Sequence, residues 1–129
     1  MDPDTLGAIV DALRPFDHVV EVGIGTRTAV AAELAAAGKR VTATDVVERE
    51  VPDCVRFVVD AVTDPDPGVY RGADAVYALN LPPELHRPAR RVARQVDADF
   101  LFTTLGGDEP AVPADPEQIP YDVLYRAQD

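Results

Sequence analysis

A strand, a glycine turn, a helix and a second strand follow one another from His18 to Asp45, and no other stretch constrains the fold so tightly. Val19 to Val22 reads as a buried strand, Gly23 and Gly25 as a turn, Thr28 to Ala37 as a helix, and Val41 to Thr44 as a strand closed by Asp45. This is one βαβ unit. The glycines let the backbone bend sharply and approach a ligand with no Cβ in the way, while the first free N–H groups of the helix offer donors at its positive end. An acid about twenty residues past the glycines stands where a ribose presents its hydroxyls. The unit suits an adenosine-containing ligand.

The rest of the chain repeats this alternation with shorter links. Asp4 is expected to cap a first helix whose apolar positions Leu6, Ile9, Val10 and Leu13 recur at helical spacing, with Pro15 stopping it. The helix of the central unit is expected to bury Val30, Leu34 and Ala37 and to stop at Gly38. Val55 to Val59 predicts a third strand. Parallel strands usually need a crossover of a dozen or more residues, so either a one-turn helix or a plain loop to an edge strand occupies 46–54. Ala75 to Leu79 predicts a fourth strand, Pro83 opens a helix with Leu85, Ala89, Val92 and Val96 on its buried stripe, and Phe100 to Thr104 predicts a fifth strand. The proline-rich acidic segment from Asp108 to Pro120 has no period and is expected to be an ordered loop or a mobile flap. Tyr121 to Arg126 alternates as a last strand, and the lack of a crossover helix before it points to antiparallel pairing with strand five.

These elements predict a single α/β domain over residues 1–129, a minimal Rossmann-like three-layer fold. Its sheet is mostly parallel, in the order 3-2-1-4-5, with an antiparallel edge strand. The ligand crevice then lies at the carboxyl ends of strands one and four. Glu21 and Gly23, Asp45, Asp60, Asn80, and Thr103 with Thr104 all fall at strand ends facing it.

Charge and composition narrow the function classes. The chain carries 12 basic against 23 acidic residues, a formal net charge of -11, which disfavours long-range attraction to bulk nucleic acid or anionic membranes. Lys39 is the single lysine, and aspartate far outnumbers glutamate, the pattern of a salt-adapted surface or of a merely acidic cytosolic protein. Cys54 has no partner for an internal disulfide and is expected to be a buried or half-buried apolar group. No apolar run reaches the ~20 residues of a membrane span, and Met1 to Asp4 lacks the features of a signal peptide, so a cytoplasmic location is expected. The chain has no serine, which excludes a serine-nucleophile hydrolase, and His18 and His86 have no second ligand at metal spacing. Arg87, Arg90, Arg91 and Arg94 form one positive stripe, either a solvated face offsetting nearby carboxylates or a docking face for RNA or an acidic protein. A homo-oligomer is compatible with the composition.

The run Glu21-x-Gly23-x-Gly25 resembles the opening motif of class I S-adenosylmethionine (SAM) methyltransferases, whereas the dinucleotide fingerprint would need glycine in place of Thr28. Arg27 stands where those enzymes usually carry a further glycine. Unless it points away or pairs with Glu21 or Asp45, it sets a cation beside a sulfonium. The resemblance implies that Asp45 accepts from both ribose hydroxyls and Asp60 from the adenine amino group. It implies that Asn80, in Asn80-Leu81-Pro82-Pro83, holds an acceptor nitrogen for methylation. Here Leu81 is inserted and Glu84 replaces the aromatic residue, and a proline-opened helix accounts for the same residues. The short chain, its compressed links and the run from Val20 to Arg27 more closely resemble a small archaeal family of uncharacterised Rossmann-like proteins. Three readings follow: a SAM-dependent methyltransferase, a non-catalytic module that holds a nucleoside ligand or serves as a subunit, and an NAD-dependent oxidoreductase, the last disfavoured by Thr28.

Overall fold

A computed structural model describes residues 1–128. Seven strands form one sheet in the order β3-β2-β1-β4-β5-β7-β6. They are β1 (His18–Val22), β2 (Arg40–Asp45), β3 (Arg56–Val59), β4 (Ala75–Leu81), β5 (Asp99–Thr104), β6 (Ala114–Ile119) and β7 (Asp122–Ala127). The first five are parallel; β7 runs antiparallel to β5, and β6 pairs antiparallel with β7. The expected order 3-2-1-4-5 with an antiparallel edge is therefore the order found.

Helices α1 (Pro3–Leu13) and α2 (Ala29–Ala36) cover one face of the sheet, and the single turn α3 (Pro67–Tyr70) with α4 (His86–Gln95) covers the other. Adjacent residues of β1 feed the two layers in turn. Val19 joins Ile9, Leu13, Val30 and Leu34, whereas Val20 and Val22 join Tyr70, Val76, Ala89 and Val92. A strand buried on both faces has no polar side to show, which is why β1 reads as an unbroken apolar run around Glu21.

Local chemistry corrects several expectations. Asp2, not Asp4, caps α1: its carboxylate accepts from the Asp4 N–H at 2.8 Å, and Pro3 takes the first helical position, where its missing N–H costs nothing. In α2 the buried residues are Val30, Ala31 and Leu34, and Ala37 is exposed because the helix has already ended. Cys54 is exposed. Residues 46–55 contain no helix, so β3 is an edge strand reached by a loop.

The largest correction concerns Asp108 to Pro120. Residues 114–119 are a strand, in register with β7 from Ala114↔Ala127 to Ile119↔Asp122, and the Thr5 hydroxyl donates to the Pro120 carbonyl at 2.6 Å. Before it, the Ala111 N–H donates at 2.9 Å to His86 Nδ1. His86 is fully buried, its Nε2 lies 2.9 Å from the Leu81 carbonyl, and its ring packs 4.8 Å from that of Phe102. Because Nδ1 accepts from an N–H, Nε2 carries the proton and donates to Leu81. The segment is pinned at three points.

Candidate functional site at the carboxyl ends of the strands

The chain steps outward in one direction from β1 to β3 and in the other from β4 to β5, leaving a crevice beyond the carboxyl ends of β1 and β4. Two adjoining hollows occupy it, of about 190 and 200 Å³, and Gly23, Leu79 and Asn80 line both. The first is lined by Asp45, Asp60, Val46, Val62 and Leu85. The second is lined by Glu21, Gly25, Thr26 and Arg27. The structure thus gathers Glu21, Gly23, Gly25, Asp45, Asp60 and Asn80 around one crevice.

Gly23 and Gly25 have φ of +68° and +58°, the left-handed region where a side chain is strained, and a Cβ on either would project into open space. The turn they make is held by Asp45: its Oδ2 accepts from the Gly25 N–H at 2.8 Å and its Oδ1 from the Val46 N–H at 2.7 Å. Arg49 Nε also donates to Oδ2, at 3.2 Å. Asp45 therefore faces the crevice and fixes its wall. Asp60 is tied similarly, Oδ1 accepting from the Asp66 N–H at 2.9 Å and Oδ2 from the Tyr70 hydroxyl at 3.3 Å. Burial and the negative charge of Asp60 hold the Tyr70 hydroxyl in its protonated form.

Glu21 is a buried carboxyl whose Oε1 accepts from the Tyr77 hydroxyl at 2.6 Å. Burial raises its pKa to about 7, against the opposing effect of the Tyr77 hydrogen bond. Burial first, then the adjacent Glu21, pushes the Tyr77 hydroxyl well above its ordinary range. Sequence reading picked out Glu21 but not Tyr77, because the pair exists only through the β1–β4 register that sets Glu21 opposite Tyr77.

Asn80 does not follow β4, as expected, but lies within it. The β4–β5 register shifts between Ala78 and Leu81, and Asn80 takes a φ of +52° with its N–H donating to Thr103 Oγ1 at 2.8 Å. The irregularity turns an exposed Asn80 side chain toward both hollows, and Thr103 supports it. Pro83 does open a helical segment, a short 3-10 turn over Pro83–Leu85 that leads into α4. Arg27 is exposed on the wall of the second hollow and forms no ion pair among the described residues; Arg49 is the cation that meets Asp45. No group of three metal-ligating side chains occurs among the described residues, nor any helix long and apolar enough to cross a membrane.

A doubly wound sheet in this order, with an acid-lined crevice over its reversal point, defines a class I methyltransferase-like fold. Solved structures share it. An RNA methyltransferase from Salinibacter ruber in complex with S-adenosyl-L-homocysteine superposes with a TM-score of 0.68 at 15% identity, over 98% of this chain and 92% of that one. Magnesium protoporphyrin IX methyltransferase from Synechocystis with bound SAM gives 0.66 at 15% identity, over 97% and 78%. The chain itself belongs to the uncharacterised protein family UPF0146, whose model matches residues 6–125. A UPF0146 protein of Halobacterium salinarum is 53% identical over 111 residues, covering 86% of this chain and 84% of that protein. Another, from Archaeoglobus fulgidus, is 53% identical over 90 residues, covering 70% and 69%. The resemblance to an uncharacterised archaeal family, drawn from the sequence, is borne out, and the fold of the chain resembles that of class I methyltransferases.

Proposed function

We propose that this protein binds SAM across Gly23 and transfers its methyl group to an acceptor held at Asn80. The observation that carries this reading is the division of the crevice. SAM is a nucleoside joined through a sulfonium to a zwitterionic amino acid, and the two hollows differ in the same sense. The first offers apolar walls with two carboxylates, Asp45 for the ribose diol and Asp60 for the adenine amino group. The second offers the acid Glu21 for an ammonium and the guanidinium of Arg27 for a carboxylate. This gives Arg27 a use that its place near a sulfonium would otherwise deny it. When bound, SAM supplies an electrophilic methyl group; the chain's own residues bind and orient. Bound SAM in the Synechocystis enzyme and bound S-adenosyl-L-homocysteine in the Salinibacter enzyme support the same reading.

One observation bears on the affinity for a ribose, whether or not catalysis follows. Arg49 and Gly25 both donate to Asp45 Oδ2 and fill its acceptor sites, so a ribose must displace Arg49 to engage both carboxylate oxygens. Calorimetric titration with SAM, S-adenosylhomocysteine and NAD separates the readings. Heat with the first two and none with NAD is expected, and Asp45→Ala should abolish it. A response to NAD alone would overturn the proposal, as would binding by Asp45→Ala at wild-type affinity. Binding with no methyl transfer across an acceptor screen in high salt would favour a binding module without catalysis.

A further inference from the structure

We propose that the outer face of α4 is a docking surface for the phosphodiester backbone of single-stranded RNA. Its four arginines, Arg87, Arg90, Arg91 and Arg94, surround a single concavity of about 320 Å³ whose only other lining residue is Gln95. Arg87 is three and four positions from Arg90 and Arg91, and Arg94 is four and three positions from the same two, so like charges stand side by side on one face, an arrangement that weakens a helix. The sequence of α4, HRPARRVARQ, contains no carboxylate, and none of the four arginines joins an ion pair among the described residues. In a chain with 23 acids, none of the described carboxylates comes within 4 Å of these four guanidinium groups, Glu84 and Asp97 at the two ends of the helix included. Arg90 shows the consequence: partial desolvation, then repulsion from Arg94 and Arg87, lowers its pKa. An anion seated in the concavity offsets the repulsion among the four arginines.

The chemistry of the face selects the anion. Protein interfaces need apolar or aromatic anchors at their centre, and the large hydrophobic side chains exposed on this protein, Met1, Val46, Val47, Val59, Leu105 and Tyr121, all lie outside α4. Nucleic-acid interfaces are more polar and more cationic, and a planar guanidinium pairs with phosphate through two parallel N–H groups. At a rise of 1.5 Å per residue, Arg87 to Arg94 spans about 10 Å of helix, enough for a few successive phosphates of one strand. Duplex DNA, with one charge per about 1.7 Å, is repelled more strongly by the acidic remainder of the chain than a single strand is. Gln95, a neutral donor and acceptor on the rim, suits a 2′-hydroxyl, the group that distinguishes RNA from DNA. The face lacks an aromatic platform, so binding follows the backbone and is indifferent to base sequence. α4 follows the 3-10 turn Pro83–Leu85, and Leu85 lines the first hollow together with Asn80, so the N-terminal end of this face lies on the crevice side of the helix.

Fluorescence anisotropy with a labelled oligouridine, titrated between about 0.1 and 1 M KCl with circular dichroism confirming the fold at each salt, tests the proposal. Four phosphate contacts predict a slope of log K against log salt of about -2.8, and Arg90→Glu with Arg94→Glu should bring it to about -1.4 or abolish binding. The milder pair Arg90→Gln with Arg94→Gln should also lower the slope, and covers the case in which charge reversal unfolds the helix. Asp45→Ala should leave RNA binding intact, so that failure of the adenosyl site and failure of this surface give different results. No RNA binding, or binding unmoved by either pair, overturns the proposal. Equal affinity for oligothymidine would overturn the assignment to RNA, and displacement of RNA by polyglutamate at matched charge would favour an acidic protein.

Discussion

At the scale of single residues, the crevice is governed by two carboxyl groups under opposite constraints. Glu21 is buried without a cation, and its pKa lies near 7, above the 4.5 of an unconstrained glutamate. The folded state therefore holds a proton that the unfolded chain has released between those two values, and stability falls as pH rises through this window. The full difference is on the order of 3 kcal/mol. Glu21→Gln keeps an acceptor for Tyr77 and removes the titration. Denaturant melts from pH 4 to 9 should find the variant progressively more stable than wild type above about pH 5, with the gap closed below it; parallel curves would mean that Glu21 is not the group responsible. The same ionisation creates an anion facing the second hollow, so affinity for an amino-acid-bearing ligand should rise through pH 7 in wild type and stay flat in Glu21→Gln. Asp45 is the converse, a carboxylate already saturated on one oxygen by Gly25 and Arg49. Arg49→Ala removes a half-exposed ion pair of small worth, below about 1 kcal/mol, and frees the lone pair that a ribose needs. Adenosyl affinity should then increase by about two- to tenfold by calorimetry, whereas a decrease would assign Arg49 to ligand binding.

At the scale of elements, one buried imidazole bridges two segments that are far apart in sequence. His86 joins the end of β4 to the segment before β6 through two hydrogen bonds and covers Phe102, which stacks on Phe100 and Tyr125 in turn. His86→Ala strands the Leu81 carbonyl and the Ala111 N–H and opens a cavity beside Phe102. A loss of about 2–4 kcal/mol is expected, with faster hydrogen exchange at Ala111 than in β1; uniform exchange would show that the segment is held some other way. Sequence patterning caught β1, α2 and β2 closely because the apolar residues of the two strands are buried on both faces, while Gly23 and Gly25 before the helix and Gly38 after it mark where the elements change. It put Asp45 at the end of β2, where the strand does end and where the aspartate lines the crevice. It missed β6 for the converse reason. The sequence Ala-Asp-Pro-Glu-Gln-Ile forms an edge strand with four consecutive exposed residues, so no apolar alternation marks it, and Pro116 is tolerated where only one side of the ladder is paired. Asn80 and Thr103 were both picked out as facing the crevice, yet their hydrogen bond depends on a register shift that composition cannot encode.

At the scale of the whole molecule, charge is the property that sets working conditions. A net charge of -11 on 129 residues is offset by few close pairs: the ion pairs among the described residues are Arg14–Asp11, Lys39–Asp17, Arg49–Asp45 and Arg126–Asp99. Exposed pairs of this kind contribute little, so the folded state retains most of its self-repulsion at low ionic strength. Raising salt from about 0.1 to 1 M shortens the screening length from about 10 to 3 Å and removes much of that repulsion. The midpoint of thermal unfolding should climb by about 4–8 °C over this range, a gain of about 1–2 kcal/mol. Salt can also stabilise by strengthening apolar burial, which has nothing to do with charge. The exposed acids Asp108, Glu109 and Glu117 separate the two causes, since none accepts a side-chain hydrogen bond or ion pair among the described residues. Neutralising all three as Asp108→Asn, Glu109→Gln and Glu117→Gln should raise the low-salt midpoint and shrink the salt-dependent gain, because less repulsion is left to screen. If the triple variant keeps the whole gain, screening of surface charge is not what salt does for this protein, and its acidic surface needs a different explanation.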